Sequence, residues 1–191
     1  MFTNTQHLAL RISDNHRYLE YVDGAPFFYL GDTAWEMLHR LNREETDFYL
    51  ENRARKGFTV IQTVILAEID GLNAPNAYGD VPLHDNDPMQ PNEPYFAHVD
   101  YVINKAAQLG LFVGLLPTWG SHWMSRNGGP TGIFTPENAL AYGRFLGKRY
   151  ADAPLIWILG GDQNVNTLQE MAVIEALAHG LREGDGGAQL I

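Results

Sequence analysis

No cysteine occurs in the 191 residues, which excludes disulfide scaffolds and thiolate metal sites and leaves the redox compartment open. Basic residues are scarce: 13 Lys and Arg stand against 23 Asp and Glu, a formal charge of -10. Such a surface repels phosphate backbones and anionic lipid, so neither nucleic acid nor a membrane is expected as a partner, and a neutral substrate fits better. No apolar run approaches the length of a membrane span. The stretch from Met1 to His7 is too polar for a signal peptide, so the chain reads as cytoplasmic, or as a mature secreted or periplasmic form without its leader. What is present is a 45% hydrophobic composition with 12% aromatics, enough for one globular domain with a sizeable core.

The most informative stretch is Leu155-Ile156-Trp157-Ile158-Leu159-Gly160-Gly161-Asp162-Gln163-Asn164. Five consecutive apolar residues after Pro154 predict a strand buried on both faces, as in parallel sheets covered by helices. Two glycines then allow a sharp turn and the close approach of a ligand, and a carboxylate follows.

Upstream, Leu8–Ile12 and Arg17–Val22 are expected to form a hairpin about Ser13-Asp14-Asn15-His16, giving an amino-terminal unit over residues 1–26. Phe27–Leu30 is expected as the first buried strand, followed by a short helical stretch through Leu41. Asn42 and Glu45 have capping-box spacing, so a helix should run from Arg43 to Lys56 and stop at Gly57. Phe58–Ile65 is β-branched and reads as the second strand. The stretch from Glu68 to Glu93, rich in Pro, Asn and Asp, reads as a long loop.

A helix from Pro94 to Gly110 leads into a third strand at Leu111–Leu116, and a glycine-rich loop spans Asn127 to Gly132. Thr135-Pro136 should open a helix to Tyr150. After the fourth strand, Thr167 and Glu170 cap a helix whose buried side is expected at Met171, Ile174, Ala178 and Leu181. Gln189–Ile191 has the look of a fifth strand beginning.

This alternation predicts an α/β fold with parallel strands and crossover helices. A doubly wound open sheet is disfavoured, because Gly31-Asp32-Thr33-Ala34-Trp35 lacks the glycine spacing of a dinucleotide turn. A TIM-type (β/α)8 barrel fits better, and since such barrels typically need about 250 residues, residues 27–191 supply roughly the first half, four to five strands. A longer chain carries the remainder, or two copies close on each other.

In a barrel the chemistry sits where strands end. Asp32 and Trp35 follow strand one, Gln62 lies late in strand two, Thr118, Trp119, His122 and Trp123 follow strand three, and Asp162 and Asn164 follow strand four. Aromatic faces beside carboxylate, amide and hydroxyl groups suit a sugar. Glycoside cleavage needs two carboxyl groups, and one acting as a proton donor near neutral pH needs a pKa raised from about 3.9 by an apolar surround or a second carboxylate.

The segments Gly31-Asp32-Thr33-Ala34-Trp35, Lys56-Gly57-Phe58-Thr59-Val60-Ile61-Gln62 and Trp157-Ile158-Leu159-Gly160-Gly161-Asp162-Gln163-Asn164 resemble the apiosidase-like glycoside hydrolases, over nearly the whole chain. The resemblance implies a (β/α)8 enzyme acting on a plant-type polysaccharide by a retaining mechanism, with Asp162 as acid/base and no cofactor or metal. The nucleophile it implies, a glutamate near strand seven, has no counterpart in these residues. Asp32, Trp35, Gln62, Trp119, His122 and Asn164 are then candidate sugar contacts.

Each candidate has a purely structural alternative. Asp162 braces its loop, Asp32 caps the short helix, Trp35, Trp119 and Trp123 are core, Gln62 fills the barrel, and Asn164 and His122 are turn and loop residues. Two other readings stay open. One is a non-catalytic carbohydrate-binding unit, and the other is a metal-dependent hydrolase using His84, Asp85, Asp87, His98, Asp100 or His122, whose spacing matches no established ligand motif.

Overall fold

The computed structural model describes residues 9–124 and 132–191. A two-stranded antiparallel hairpin, β1 (Leu10–Ile12) and β2 (Leu19–Tyr21), precedes a parallel sheet of β3 (Gly31–Thr33), β4 (Val60–Leu66), β5 (Phe112–Thr118) and β6 (Leu155–Trp157), in that spatial order. Among the described residues the α-helices are α1 (Met37–Arg40), α2 (Arg43–Arg55), α3 (Glu93–Gln108), α4 (Pro136–Tyr150) and α5 (Leu168–Asp185). The amide of Trp157 donates to the carbonyl of Leu190 at 2.9 Å, and Leu190 bridges Ile156 in parallel, so the expected fifth extended segment does dock on the sheet. Among the described residues no helix is long and apolar enough to cross a membrane.

The helices begin where local hydrogen bonding dictates. Asn42 and Glu45, Thr135 and Asn138, and Thr167 and Glu170 each form reciprocal capping boxes that satisfy otherwise orphaned amides. The expected strand at Phe27–Leu30 is displaced. Pairing starts only at Gly31, opposite Val60, and Phe28 is 74% exposed. The cause is Thr59: its hydroxyl donates to the Phe28 carbonyl at 2.7 Å and accepts from the Leu30 amide at 2.9 Å, holding this backbone in place of a ladder. β4 and β5 likewise run later than their apolar patterns suggested, to Leu66 and Thr118.

Strand alternation splits the sheet into two faces. Ile61, Ile65, Val113, Leu115, Leu155 and Trp157 join the helices in the main core. On the other face Val64, Ala67, Leu116 and Trp119 cluster with Trp35 and Ile158 near the strand exits. At the opposite end of that face, Phe27, Val60 and Phe112 receive the hairpin residues Leu10, Leu19 and Tyr21.

The buried side of α5 also differs from expectation. Met171 is 45% exposed, Ile174 and Ala178 are half-buried, and Val173, Leu177 and Leu181 face the core. Glycines decide this rotation. A β-carbon on Gly180 would stand 2.3 Å from the Leu140 carbonyl oxygen, and one on Gly147 2.3 Å from that of Leu181, so α4 and α5 touch backbone to backbone along this line. The glycine-rich loop read at Asn127 to Gly132 falls, up to residue 131, outside the described residues.

Candidate active site at the strand exits

Parallel strands bring their carboxyl ends to one side. Trp119 follows β5, donates its amide to the Leu66 carbonyl at 3.0 Å, and bridges Gly160 beyond β6. Its ring packs edge-on against Trp35, with centroids 5.4 Å apart. Gly160 and Gly161 then adopt left-handed conformations, φ +80° and +69°. A β-carbon on Gly160 would lie 2.9 Å from the Trp123 ring, and one on Gly161 2.6 Å from the Trp119 ring. Glycine is therefore required twice over, by backbone conformation and by the indoles beneath.

Asp162 is the next residue, exposed at the crest of this loop, with Oδ1 accepting from Gln163 Nε2 at 3.1 Å. Gln163 lies over Gly120, whose missing side chain makes room for it. The far side of the loop is fixed by Glu170, a buried carboxylate that accepts from the amides of Asn166 at 2.7 Å and Thr167 at 3.0 Å. Asn164 is exposed between these anchors, its carbonyl accepting from Asn166 Nδ2 at 3.1 Å.

Trp119, at 3% exposure, and Trp123, at 1%, are buried supports, whereas Trp35 is half-buried and keeps accessible surface. His122 donates from Nε2 to the Ala67 carbonyl at 2.7 Å, tying the exit of β5 to that of β4. Gln62 lies on the inner face deeper in the sheet and donates from Nε2 to the Tyr29 hydroxyl at 3.3 Å, close to the bare backbones of Gly31 and Gly114. It occupies the position of a hydrogen-bonded filler.

Asp32 departs from the expected convergence. Its Oδ2 accepts from the Tyr49 hydroxyl at 2.9 Å and pairs with Arg53, so the carboxylate is turned to α2 instead of the rim. Burial raises the Asp32 carboxyl, but the Tyr49 hydroxyl, the Thr33 amide and the Arg53 guanidinium outweigh that and hold it below the usual carboxylate range. Burial, with the adjacent Asp32 charge, pushes the Tyr49 hydroxyl up to about 12.

Glu68 is a carboxylate that the sequence reading passed over: it is exposed directly after Ala67, two positions beyond the end of β4, whereas Asp162 stands five beyond the end of β6. Its signal was the end of the β-branched run, obscured by the loop composition that follows. Among the described residues no three His, Asp or Glu side chains stand together as a metal site. Of the alternative ligands, Asp100 is paired with Arg149, and His98 is buried on α3 against the Tyr78 ring.

A family model described as Apiosidase-like, catalytic domain, matches residues 13–191. The chain belongs to this family. Among solved structures similar to this family member, a glycoside hydrolase family 5 protein from Bacteroides vulgatus is 32% identical, with 95% of this chain and 38% of that one covered and a TM-score of 0.79. A second structure, described as a glycoside hydrolase, is 34% identical at the same TM-score, covering 95% and 40%. A family 5 mannosidase from Rhizomucor miehei, 13% identical with a TM-score of 0.65 over 95% and 54%, shares the fold. No curated protein matches. The chain thus spans about two fifths of the length of the first two structures.

Proposed function

We propose that the apiosidase-like chain forms the first half of a (β/α)8 barrel that hydrolyses a glycosidic bond in a plant-type polysaccharide, with Asp162 as the proton donor. The observation that supports this reading is the close approach of Gly161, one residue before Asp162, to the Trp119 ring that packs on Trp35. A sugar resting its C–H face on Trp35 would have its glycosidic oxygen near Asp162, while Asn164 and His122 border the same exits. The retaining course requires a second carboxylate on the opposite face of the sugar. The family resemblance assigns that role to a glutamate near the seventh strand, and further strands would cover Phe28, Tyr29 and the inner face.

In a protein carrying the complete barrel, Asp162→Asn should lower turnover by roughly 10²–10⁴-fold on glycosides with poor leaving groups, with little loss on activated aryl glycosides and little change in binding. Equal rates for both proteins on poor leaving groups would assign the proton donor elsewhere. The anomeric configuration of the first-formed product, followed by NMR, tests the retaining course.

A further inference from the structure

The long loop between β4 and α3 is anchored in the main core by Leu72 and Leu83, both buried. Between these anchors residues 73–80 form a turn that bonds to itself. Asn76 accepts on Oδ1 from the amides of Tyr78 at 2.9 Å and Asp80 at 3.0 Å, and its own amide donates to the Asp80 carbonyl at 2.8 Å. A turn that satisfies its own backbone in this way can move as one body without losing those bonds. On one side a cleft of about 520 Å3 lies between the turn and α1, lined by His39, Arg40, Ala74, Pro75 and Asn76 among others.

On the other side Tyr78 joins the turn to two helices. Its hydroxyl accepts at 2.7 Å from the amide of Arg43, the first residue of α2, whose N–H has no acceptor within its own helix. The Arg43 guanidinium lies 5.6 Å from the centre of the Tyr78 ring, and the His98 ring of α3 lies 5.1 Å from it. His98 is 2% exposed, and neither of its ring nitrogens has a hydrogen-bond partner among the described residues. A neutral imidazole tolerates such a seat far better than a charged one, because a buried charge without a partner costs much more than a buried dipole.

The groups that face His98 are Arg43 from α2, Asp80 from the turn and the Leu41 backbone just ahead of α2. Burial holds the imidazole below its ordinary value of about 6.5 and the Arg43 charge adds to this, while the Leu41 backbone and the Asp80 carboxylate offset only part. When the turn lifts, water reaches the ring and the imidazole takes up its proton at the ordinary value. Closure is therefore favoured in full above about pH 6.5 and weakens as pH falls from there towards the lower value of the closed form. We propose that Tyr78 and His98 form an acid-sensitive latch: the turn over residues 73–80 stays closed on α2 and α3 while His98 is neutral, and protonation of His98 releases it. Release widens the cleft beside α1, in the loop that leaves β4. The latch does not depend on the glycosidase reading.

The Arg43 amide reports the state of the latch, because the Tyr78 hydroxyl covers it only when the turn is closed. Its hydrogen exchange is followed by NMR at pH 7.5 and 5.5, with correction for the intrinsic pH dependence of exchange. Protection should fall by up to about tenfold at the lower pH, the limit for one proton taken up over one unit below 6.5, while the Leu50 amide inside α2 keeps its protection. His98→Phe leaves a ring in the seat that cannot take a proton, and should abolish the pH dependence at Arg43. If that variant does not fold, titration of the His98 ring proton in the parent decides: a midpoint below 6.5, matched by the shift of the Arg43 amide, supports the latch. It is overturned by Arg43 protection that is the same at both pH values, by a pH dependence that survives in His98→Phe, by equal loosening at Leu50, or by a His98 midpoint at or above 6.5.

Discussion

Gly161→Ala probes the contact on which the placement of Asp162 depends. The substitution puts a β-carbon on a residue at φ +69° and drives it to 2.6 Å from the Trp119 ring. A left-handed backbone costs an L-residue about 1–2 kcal/mol, forced overpacking adds about 1–3 kcal/mol, and the stiffer unfolded chain returns about 0.4–1 kcal/mol. The net loss is about 3 kcal/mol at the middle of these ranges.

Gly57→Ala is the matched control. It has φ +81° but nothing within 4 Å of the added carbon, so only backbone strain and unfolded-state stiffness act. Its loss should be about 1 kcal/mol. For a domain of this size the two variants should melt about 6–12 °C and 2–4 °C below the parent, respectively. Urea unfolding monitored by circular dichroism gives both free energies, and tryptophan fluorescence reports the displaced indole in the first variant alone. Equal destabilisation of the two would refute close packing of Trp119 under Gly161, and with it the argument that the indole positions the neighbouring carboxylate.

Asp32→Asn should destabilise the protein at neutral pH but progressively less in acid. The folded carboxyl is held below its ordinary range, so its contribution is present above the unfolded pKa of about 3.9 and vanishes as pH falls through the lower folded value. Denaturation of both proteins between pH 3 and 7 checks this, a pH-independent gap being the contrary result. Arg149→Met removes charge-assisted bonds to Glu93 at 2.6 Å and Asp100 at 2.7 Å that fasten α4 to α3, and should cost about 1–3 kcal/mol in urea. Thr167→Ala removes one half of the α5 capping box and should cost about 1 kcal/mol, with faster amide exchange confined to the first turn of that helix.

Much of this architecture was legible in the chain because it is written over short distances. Asn42 with Glu45 and Thr167 with Glu170 meet within one turn, and Pro136 after Thr135 needs no distant partner to open α4. The apolar runs that became β5 and β6 are nearly continuous, so their burial on both faces was written in composition. The place of Asp162 after its strand followed from the same local pattern.

Tertiary structure alone decided what depends on residues far apart in sequence. Thr59 captures the backbone of Phe28 and Leu30 from 29 to 31 positions away and so delays the first strand to Gly31. Arg53 and Tyr49 turn Asp32 away from the rim, although its position after an apolar run looked equivalent to that of Asp162. The glycines of α4 and α5 select the buried face of α5 because backbone contact between two helices outweighs the apolar period of one. Hydrogen bonds within a turn are fixed by chain connectivity, whereas the direction of a side chain is fixed by whichever distant partner satisfies it, and only the folded molecule brings that partner into reach.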